Sequence, residues 1–297
     1  MNKEEFQSSG RRRVFYSILL NILITVAEFV GGIFSGSLAL ISDSLHNLSD
    51  TVAGILTFWT LKLSTKARNE KYTFGYKRAE IISAFVNSSV LIVLAVLLLR
   101  EAVLRFAHPE TVSGGIMLPV AIIGLLANSA SALFLHGHAK HNLNIRSEYL
   151  HLLSDALSSV AVVIGGIIIA IWKISWIDPV LTVIIAIYMS YESIEILKET
   201  LNILMESCPS SIRIPDIEQD VLKIDGVKDI HHIHVWKLSD EDTLFEAHVN
   251  VSNVNVEDTK TIREAIEKML KENYEINHST IQFEFNEHLT DGLIKAN

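Results

Sequence analysis

Apolar residues occur in six long runs before about position 198, and each run is long enough to form a membrane-spanning helix. Such a helix needs about 20 mostly apolar residues to cross the hydrocarbon core. The runs cover residues 14–34, 38–61, 79–104, 115–136, 148–171 and 175–197. The second and fifth are the least hydrophobic, because they contain SDSLHNLSD and EYLHLLSDALSS. The pattern predicts a six-helix membrane domain over 14–205, preceded by a short segment, 1–13.

The pattern changes beyond Pro209, where short alternating and amphipathic segments replace the long apolar runs. DIEQDVLKIDGV is typical of a helix closed by a turn, and IHHIHVWKL and LFEAHVNVS are typical of strands. VEDTKTIREAIEKMLKEN has the period of an amphipathic helix, and STIQFEF predicts a third strand. This αββαβ order predicts a small α+β domain over 206–297, with both helices covering one face of a three-stranded sheet.

Composition and charge exclude several classes of protein. Of the 297 residues, 49% are hydrophobic, which is too apolar for one ordinary soluble globule. The net charge of -9 argues against nucleic acid as a partner, because phosphate binding needs a basic face. Cys208 is the single cysteine, so the chain has no internal disulfide framework. The sequence therefore indicates an integral membrane protein surrounded by lipid.

Basic residues are concentrated in the connections on one side of the predicted helices. That side carries Arg11, Arg12, Arg13, Lys62, Lys66, Arg68, Lys71, Lys77, Arg78, Lys140 and Arg146. The other side has Arg105 and Lys173 near its connections. Because short cytosolic loops are enriched in lysine and arginine, both termini are predicted to be cytosolic. The compact loops favour a prokaryotic plasma membrane.

Two of the predicted spans contain the same polar pattern. SLHNLSD (44–50) and YLHLLSD (149–155) share the frame x-Leu-His-x-Leu-Ser-Asp. Residues four apart lie one turn from each other on the same helix face, so His46 pairs with Asp50 and His151 pairs with Asp155. If the two faces meet, two imidazoles and two carboxylates form a tetrahedral set that suits Zn²⁺.

The cost of burying charge favours an ion site over simple packing. A carboxylate at mid-membrane costs about 2.5 to 3.5 kcal/mol even on the lenient insertion scale. A single histidine in such a helix is more often a hydrogen-bonded packing residue, but two matched pairs in different spans favour a metal or proton site. Metal ligands must be deprotonated, so zinc and protons compete for these groups, and this competition is a mechanism for proton-coupled antiport.

Other polar residues in the spans have weaker functional interpretations. Asp43, Asn47, Ser49 and Ser154 are interpreted as groups that orient the ligands or join helices. Asn21, Glu28 and Asn128 are predicted to point inward, where they either pack or border the ion path.

Five stretches together resemble one known family. They are SGSLALISDSLHNLSD, YTFGYKRAEIISAFVN, EYLHLLSDALSSV, HHIHVW and HSTIQFE. On these motifs the sequence resembles the cation diffusion facilitators, over about residues 10 to 288. Members of that family are homodimeric divalent-metal exporters with six spans and a cytosolic ferredoxin-like domain, and they are not enzymes. The resemblance implies proton-driven alternating access at a site formed by His46, Asp50, His151 and Asp155, in a zinc-preferring member.

The resemblance also implies a charge interlock at the dimer interface, with Arg78 and Glu206 at the matching positions. Unpaired charges at a headgroup boundary are the alternative. Some relatives carry a metal site in the loop before the third span, but NEKYTFGYKRAE contains no histidine, so no site is predicted there. His136, His138 and His141 cluster instead in a predicted cytosolic connection, where they either collect zinc or are solvated.

The predicted strands of the soluble domain offer a second candidate metal site. In LFEAHVNV, strand alternation leaves His248 opposite the apolar face, and in TIQFEF it leaves Glu284 opposite Ile281, Phe283 and Phe285. The same alternation in the first strand puts His232, His234 and Trp236 on the polar face and His231 on the core side. The family resemblance instead implies His231 as the ligand. We favour His231, with His232 as the alternative, in a regulatory zinc site.

Two other classes of function use the same membrane residues. An intramembrane metalloenzyme usually keeps an open zinc position and a general base, as in H-E-x-x-H, and neither pair has that form. A metal sensor or a channel without proton coupling is the remaining alternative. The donor set accommodates Cd²⁺, Co²⁺ or Ni²⁺ as well as Zn²⁺.

Overall fold

The computed structural model describes residues 21–64, 66, 68–139, 143–240, 242–252 and 255–285. The chain divides into two compact units, which we treat separately. The first comprises Met1–Trp59 with Ala84–Leu197, and the second comprises Thr60–Ser83 with Lys198–Asn297.

Six helices account for the six apolar runs of the sequence. They are α1 (Asn21–Ser35), α2 (Leu38–Ser64), α3 (Arg78–Ala107), α4 (Gly114–Ala139), α5 (Leu143–Trp172) and α6 (Ile177–Leu204). Within the described residues, α3, α6 and the segments Gly114–Leu133 and Leu152–Trp172 are long and apolar enough to cross a membrane. The first helix is described only from Asn21, and the polar residues of α2 lower its hydropathy. The predicted helical membrane domain is confirmed.

Small residues allow the helices of the first unit to pack closely. Ala39, Ala95, Ala121 and Ala186 are at most 2% exposed. A Cβ added to Gly114 would lie 2.6 Å from the backbone of Ala170, so α4 and α5 approach too closely there for a larger residue. Close backbone approach through small residues is typical of membrane helices, because lipid is as apolar as leucine. Large apolar side chains lie on the outer surface instead, for example Leu126, Leu133, Leu157 and Ile171.

The second unit contains the small α+β domain. Its elements are α7 (Ile214–Val221), β1 (Val227–Lys237), β2 (Thr243–Val251), α8 (Val256–Tyr274) and β3 (His278–Glu284). The sheet order is β1-β2-β3, with β1 antiparallel and β3 parallel to the central strand β2. The predicted αββαβ order is confirmed, although β1 begins three residues before the predicted start at Ile230.

One hydrophobic core unites the sheet with both helices of this domain. It includes Ile217 and Val221 of α7, and Ile262, Ile266 and Leu270 of α8. From β2 it takes the predicted face Phe245, Ala247, Val249 and Val251, all at most 3% exposed. The third strand was predicted to include Phe285, but β3 ends at Glu284 and Phe285 is 51% exposed. Helix α8 starts with a capping box formed by Asn255 and Asp258.

Candidate metal sites

Helices α2 and α5 bring three of the predicted ligands together. His46 and Asp50 lie one turn apart in α2, and Asp155 comes from α5. The His46 Nε2 atom is 3.4 Å from Asp155 Oδ1 and 3.7 Å from Asp50 Oδ2. One donor atom from each residue lies within 4.8 Å of the others.

These distances fit a shared small cation. A tetrahedral zinc shell with bonds of about 2.0 to 2.1 Å separates its donor atoms by about 3.3 Å. Both separations from His46 Nε2 are within a few tenths of an ångström of that value. The His46 and Asp155 side chains are each 6% exposed, whereas that of Asp50 is 27% exposed. This group can therefore bind a dication from three sides, with its more open side at Asp50.

Hydrogen bonds between helices hold the residues that flank this group. The Ser158 hydroxyl of α5 donates to Asp43 Oδ1 of α2 at 2.8 Å. The Asn47 amide donates to Glu28 Oε2 of α1 at 2.9 Å, and both residues are buried. Because Asp43 and Asn47 flank His46 in α2, these bonds restrict how that helix turns about its axis. Both residues join helices, which is one of the two roles that the sequence analysis gave them.

Other predicted polar residues also join helices. Ser49 accepts a hydrogen bond from the Asn87 amide of α3 at 3.0 Å. Asn128 of α4 donates to the Ser159 hydroxyl of α5 at 3.1 Å and is buried.

Tyr188 of α6 borders the group, although it belongs to no motif in the sequence. Its hydroxyl is 2.9 Å from that of Ser154 and donates to Glu192 at 2.5 Å, and its ring centroid is 6.0 Å from that of His46. The only signal available was a polar aromatic residue inside an apolar run.

Several predicted residues lie outside the described part of the chain. The backbone of α5 passes through position 151, but the His151 side chain is not described. The side chains of His136 and His138 in α4 are likewise not described, nor is any part of His141.

The soluble domain builds a second group from all three strands. His231 Nε2 of β1 is 3.1 Å from Glu284 Oε2 of β3, and His248 Nδ1 of β2 is 2.7 Å from Glu284 Oε1. One donor atom from each of these residues lies within 4.8 Å of the others. The other ring nitrogen of His231, Nδ1, is 3.2 Å from Asp229 Oδ2. A carboxylate at that position orients the ring and leaves Nε2 facing the group, as in many metal-binding histidines.

A β-bulge decides which histidine of β1 joins this group. In the pairing with β2, His231 lies opposite His248 and His234 opposite Glu246, so the register shifts between them. His232 adopts a φ of +53°, a left-handed conformation that is uncommon for non-glycine residues. The extra residue lets both Ile230 and Ile233 face the core, each 1% exposed.

The faces predicted from strand alternation are therefore wrong at the start of β1. The prediction placed His231 on the core side because it assumed a regular strand, and a bulge resets the alternation of faces. His231 lies on the polar face with His248 and Glu284. His232 does not take its place, although its ring centroid is 4.7 Å from that of His248.

Two ion pairs in the second unit involve the residues at the start of α3. Arg78 Nη2 donates to Glu206 Oε1 at 2.7 Å, so the two predicted interlock residues contact each other within one chain. Lys77 Nζ donates to Asp242 Oδ2 at 2.5 Å, at the turn between β1 and β2. Burial raises the pKa of Asp242, but the Lys77 and Ser239 hydrogen bonds outweigh it and the net pKa is lowered.

Comparison with known proteins finds two family domains along the chain. Residues 14–205 match the cation efflux transmembrane domain, and residues 209–285 match the cytoplasmic domain of cation efflux proteins. The zinc transporter ZitB of Pectobacterium atrosepticum is 35% identical over 286 residues, which cover 96% of this chain and 88% of that protein.

Two further relatives carry broader names. The cadmium, cobalt and zinc/H(+)-K(+) antiporter of Bacillus subtilis is 33% identical over 297 residues, covering 99% of this chain and 95% of the relative. The metal cation efflux system protein CzcD of Cupriavidus metallidurans is 33% identical over 283 residues, covering 95% and 89%. With matches across both units, the chain belongs to the cation efflux family, the cation diffusion facilitators, and is a metal-transporting membrane protein and not an enzyme.

Proposed function

We propose that this protein exports Zn²⁺ from the cytosol in exchange for H⁺. The observation that carries the proposal is the meeting of His46, Asp50 and Asp155 between two membrane helices, at separations suited to one dication. His151 is the proposed fourth ligand, because it precedes Asp155 by one turn of the continuous helix α5. Two imidazoles and two carboxylates fill a tetrahedral shell without water, as expected for an ion that is carried and released whole.

Exchange with protons follows from the chemistry of these donors. Two carboxylates balance the charge of one dication, which offsets the cost of burying them in the membrane. When the metal leaves, protons on the histidines and aspartates reduce the same excess of negative charge. Metal and proton therefore occupy the site in alternation, and a proton gradient drives metal the other way.

The direction of transport follows from the proposed topology. The excess of lysine and arginine in one set of connections favours cytosolic termini and a cytosolic α+β domain. All three relatives compared above are bacterial proteins, which supports a bacterial plasma membrane. In this orientation the corner between α1 and α2 faces away from the cytosol.

The names of the relatives support zinc as a substrate and leave room for others. One relative is named for zinc alone, and another for cadmium, cobalt and zinc. The His and Asp donors of this chain accept all of these ions, and Ni²⁺ as well, so geometry decides the order of preference. The name of the Bacillus relative also supports coupling to protons.

The soluble domain is the proposed regulatory part of a homodimer. His231, His248 and Glu284 are the proposed ligands of a regulatory metal, held on one rigid sheet. The pair of Arg78 and Glu206 is proposed to brace the dimer near the membrane. Metal bound to the sheet would tighten the pairing of soluble domains and adjust transport to cytosolic zinc. His136, His138 and His141 are proposed to collect metal before it enters the site.

The test is zinc flux in proteoliposomes that contain the purified protein. An imposed pH gradient is expected to drive zinc uptake in the wild type, and Asp50→Asn and Asp155→Asn are expected to abolish it. Asp225→Asn, an exposed aspartate in the soluble domain, is the matched control and keeps wild-type flux. Flux that ignores the pH gradient would indicate a channel, and specific zinc binding without flux would indicate a sensor.

A further inference from the structure

The helix that carries two of the proposed ligands begins at a turn held by another helix. Asp178, in the first turn of α6, is 0% exposed, and its carboxylate accepts three hydrogen bonds from the start of α2. Its Oδ2 atom accepts from the Leu38 N–H at 2.8 Å. Its Oδ1 atom accepts from the Ser37 hydroxyl at 2.5 Å and from the Ala39 N–H at 3.3 Å. A buried carboxylate on α6 thus caps α2.

Ser37, the residue just before α2, completes this cap. Its hydroxyl oxygen accepts from the Leu40 N–H at 3.1 Å while the hydroxyl proton points to Asp178. The first N–H groups of a helix have no partner in the helix itself. Those of Leu38, Ala39 and Leu40 are all satisfied here, the first two by Asp178. Without Asp178, two of these N–H groups would be left in a buried environment.

A positive charge from α3 and a backbone bond from the next connection hold the same corner. The Arg105 guanidinium donates to the Gly36 carbonyl, and its Nη1 atom is 3.8 Å from Asp178 Oδ2. The arginine side chain is only 12% exposed. The Ser113 N–H, just before α4, donates to the Ser35 carbonyl at 2.8 Å. Residues of three other segments, α3, the connection before α4 and α6, therefore hold the turn between α1 and α2, and Asp178 of α6 accepts hydrogen bonds from α2 itself.

We infer that Asp178 is a positioning residue for the proposed transport site and acts through the first turn of α2. His46 follows Leu38 by eight residues, which is about 12 Å along a helix that rises 1.5 Å per residue. Because a helix transmits a shift of its end along its axis, the position of the cap sets where His46 and Asp50 lie relative to Asp155. The positive end of the helix dipole also favours a carboxylate here over a neutral group. The inference rests on the proposed function for the role of these ligands.

The test is zinc affinity of the purified full-length protein with Asp178→Asn. Asparagine keeps the size of the side chain, but its NH₂ group cannot accept a hydrogen bond, so it cannot satisfy all three donors. Binding is measured at equilibrium in a His248→Ala background, which removes a ligand of the soluble-domain group. Because Asp178→Asn weakens the cap of α2, we expect the zinc affinity of this variant to fall about fivefold or more. In proteoliposomes, KM for zinc is expected to rise by a similar factor and the maximal rate to fall less.

A matched control lies one turn further along α6. Thr182 is also 0% exposed, and its hydroxyl donates to the Asp178 backbone carbonyl at 2.9 Å, within the same helix. Thr182→Val removes this buried hydrogen bond, and no hydrogen bond between Thr182 and α2 is found among the described residues. We expect it to retain wild-type zinc affinity.

Ser37→Ala is a second, milder variant of the same cap. It removes the hydroxyl that links Asp178 to Leu40 and is expected to lower zinc affinity in the same direction. Since both changes affect one cap, the double variant is expected to lose less affinity than the product of the two single losses. If Asp178→Asn does not accumulate in the membrane, Ser37→Ala decides the question.

Unchanged zinc affinity in Asp178→Asn and Ser37→Ala, or an equal loss in Thr182→Val, overturns the inference. Equilibrium binding does not depend on transport. Failure of the proposed function would appear separately, as wild-type protein that shows no zinc flux in a pH gradient.

Discussion

The two histidine and carboxylate groups of this protein use the same kinds of donor but are built in different ways. In the membrane unit, His46 and Asp50 come from one helix and Asp155 from another. In the soluble domain, His231, His248 and Glu284 come from adjacent strands of one hydrogen-bonded sheet. A group shared between two helices changes when one helix shifts, whereas a group on one sheet keeps its spacing. The difference agrees with the two proposed roles, exchange of an ion in the membrane and retention of an ion in the soluble domain.

The largest expected effect comes from changing a carboxylate in the membrane group, and the same change in the soluble-domain group serves as the comparison. Asp155→Asn replaces a charged carboxylate ligand of the proposed transport site with a neutral amide, and zinc flux should fall more than about 100-fold. Glu284→Gln makes the same chemical change in the soluble domain, and flux at saturating zinc should stay within about threefold of the wild type. Flux in proteoliposomes under a pH gradient measures both. Equal losses in the two variants would contradict the division of roles.

His46→Asp is expected to change which metal is carried more than whether metal is carried. The substitution replaces a nitrogen donor with an oxygen donor, and oxygen-rich sites are better suited to harder cations such as Mn²⁺. We expect the preference for Zn²⁺ over Mn²⁺ to fall about tenfold. Competition between the two ions in the flux assay gives this ratio. His231→Asp, a similar change in the soluble domain, should leave the ratio as it is in the wild type.

A comparison of adjacent histidines tests the bulge in β1. His231→Ala should weaken metal binding by the soluble domain about tenfold to hundredfold, because its Nε2 atom faces Glu284. His232→Ala should change the affinity less than about threefold. Equilibrium binding to full-length protein in an Asp155→Asn background isolates this group. A larger loss in His232→Ala would show that the alternation argument identified the correct ligand after all.

The smallest expected effect concerns the backbone of the same bulge. Because His232 has a φ of +53°, glycine should be tolerated or slightly stabilising, while a β-branched residue should be strained. His232→Val is expected to destabilise the sheet by about 1 to 2 kcal/mol relative to His232→Gly. Hydrogen exchange of the β1 and β2 amides measures the difference. Equal protection in the two variants would mean that the bulge does not constrain this position.

The transmembrane group was largely predictable because helical spacing is regular. His46 and Asp50 lie on one face whenever residues 46 to 50 are helical, and the repeated motif indicated that a second helix offers the same pair. A lone Asp178 at the start of an apolar run carried no such signal. Its first hydrogen-bond partner, Ser37, lies 141 residues earlier in the chain.

The soluble-domain group was only partly predictable because strand alternation is sensitive to one inserted residue. Alternation correctly gave the apolar face of β2, which is regular, and it left His248 and Glu284 on the polar side. It failed in β1, because the extra residue of the bulge at His232 shifts the alternation of faces by one residue between the two ends of the strand. Nothing local to HHIHVW distinguishes a bulged strand from a regular one.

By itself, the sequence determined the helical membrane domain, the order of the α+β domain and the two matched His and Asp pairs, because each depends on spacing along a regular element. The tertiary structure alone decided that Asp178 caps α2, that Tyr188 borders His46 and that a bulge in β1 sets which face His231 occupies. Each of these features involves separate parts of the chain. Their geometry depends on how elements pack and on where one strand is irregular, and no local pattern of residues specifies either.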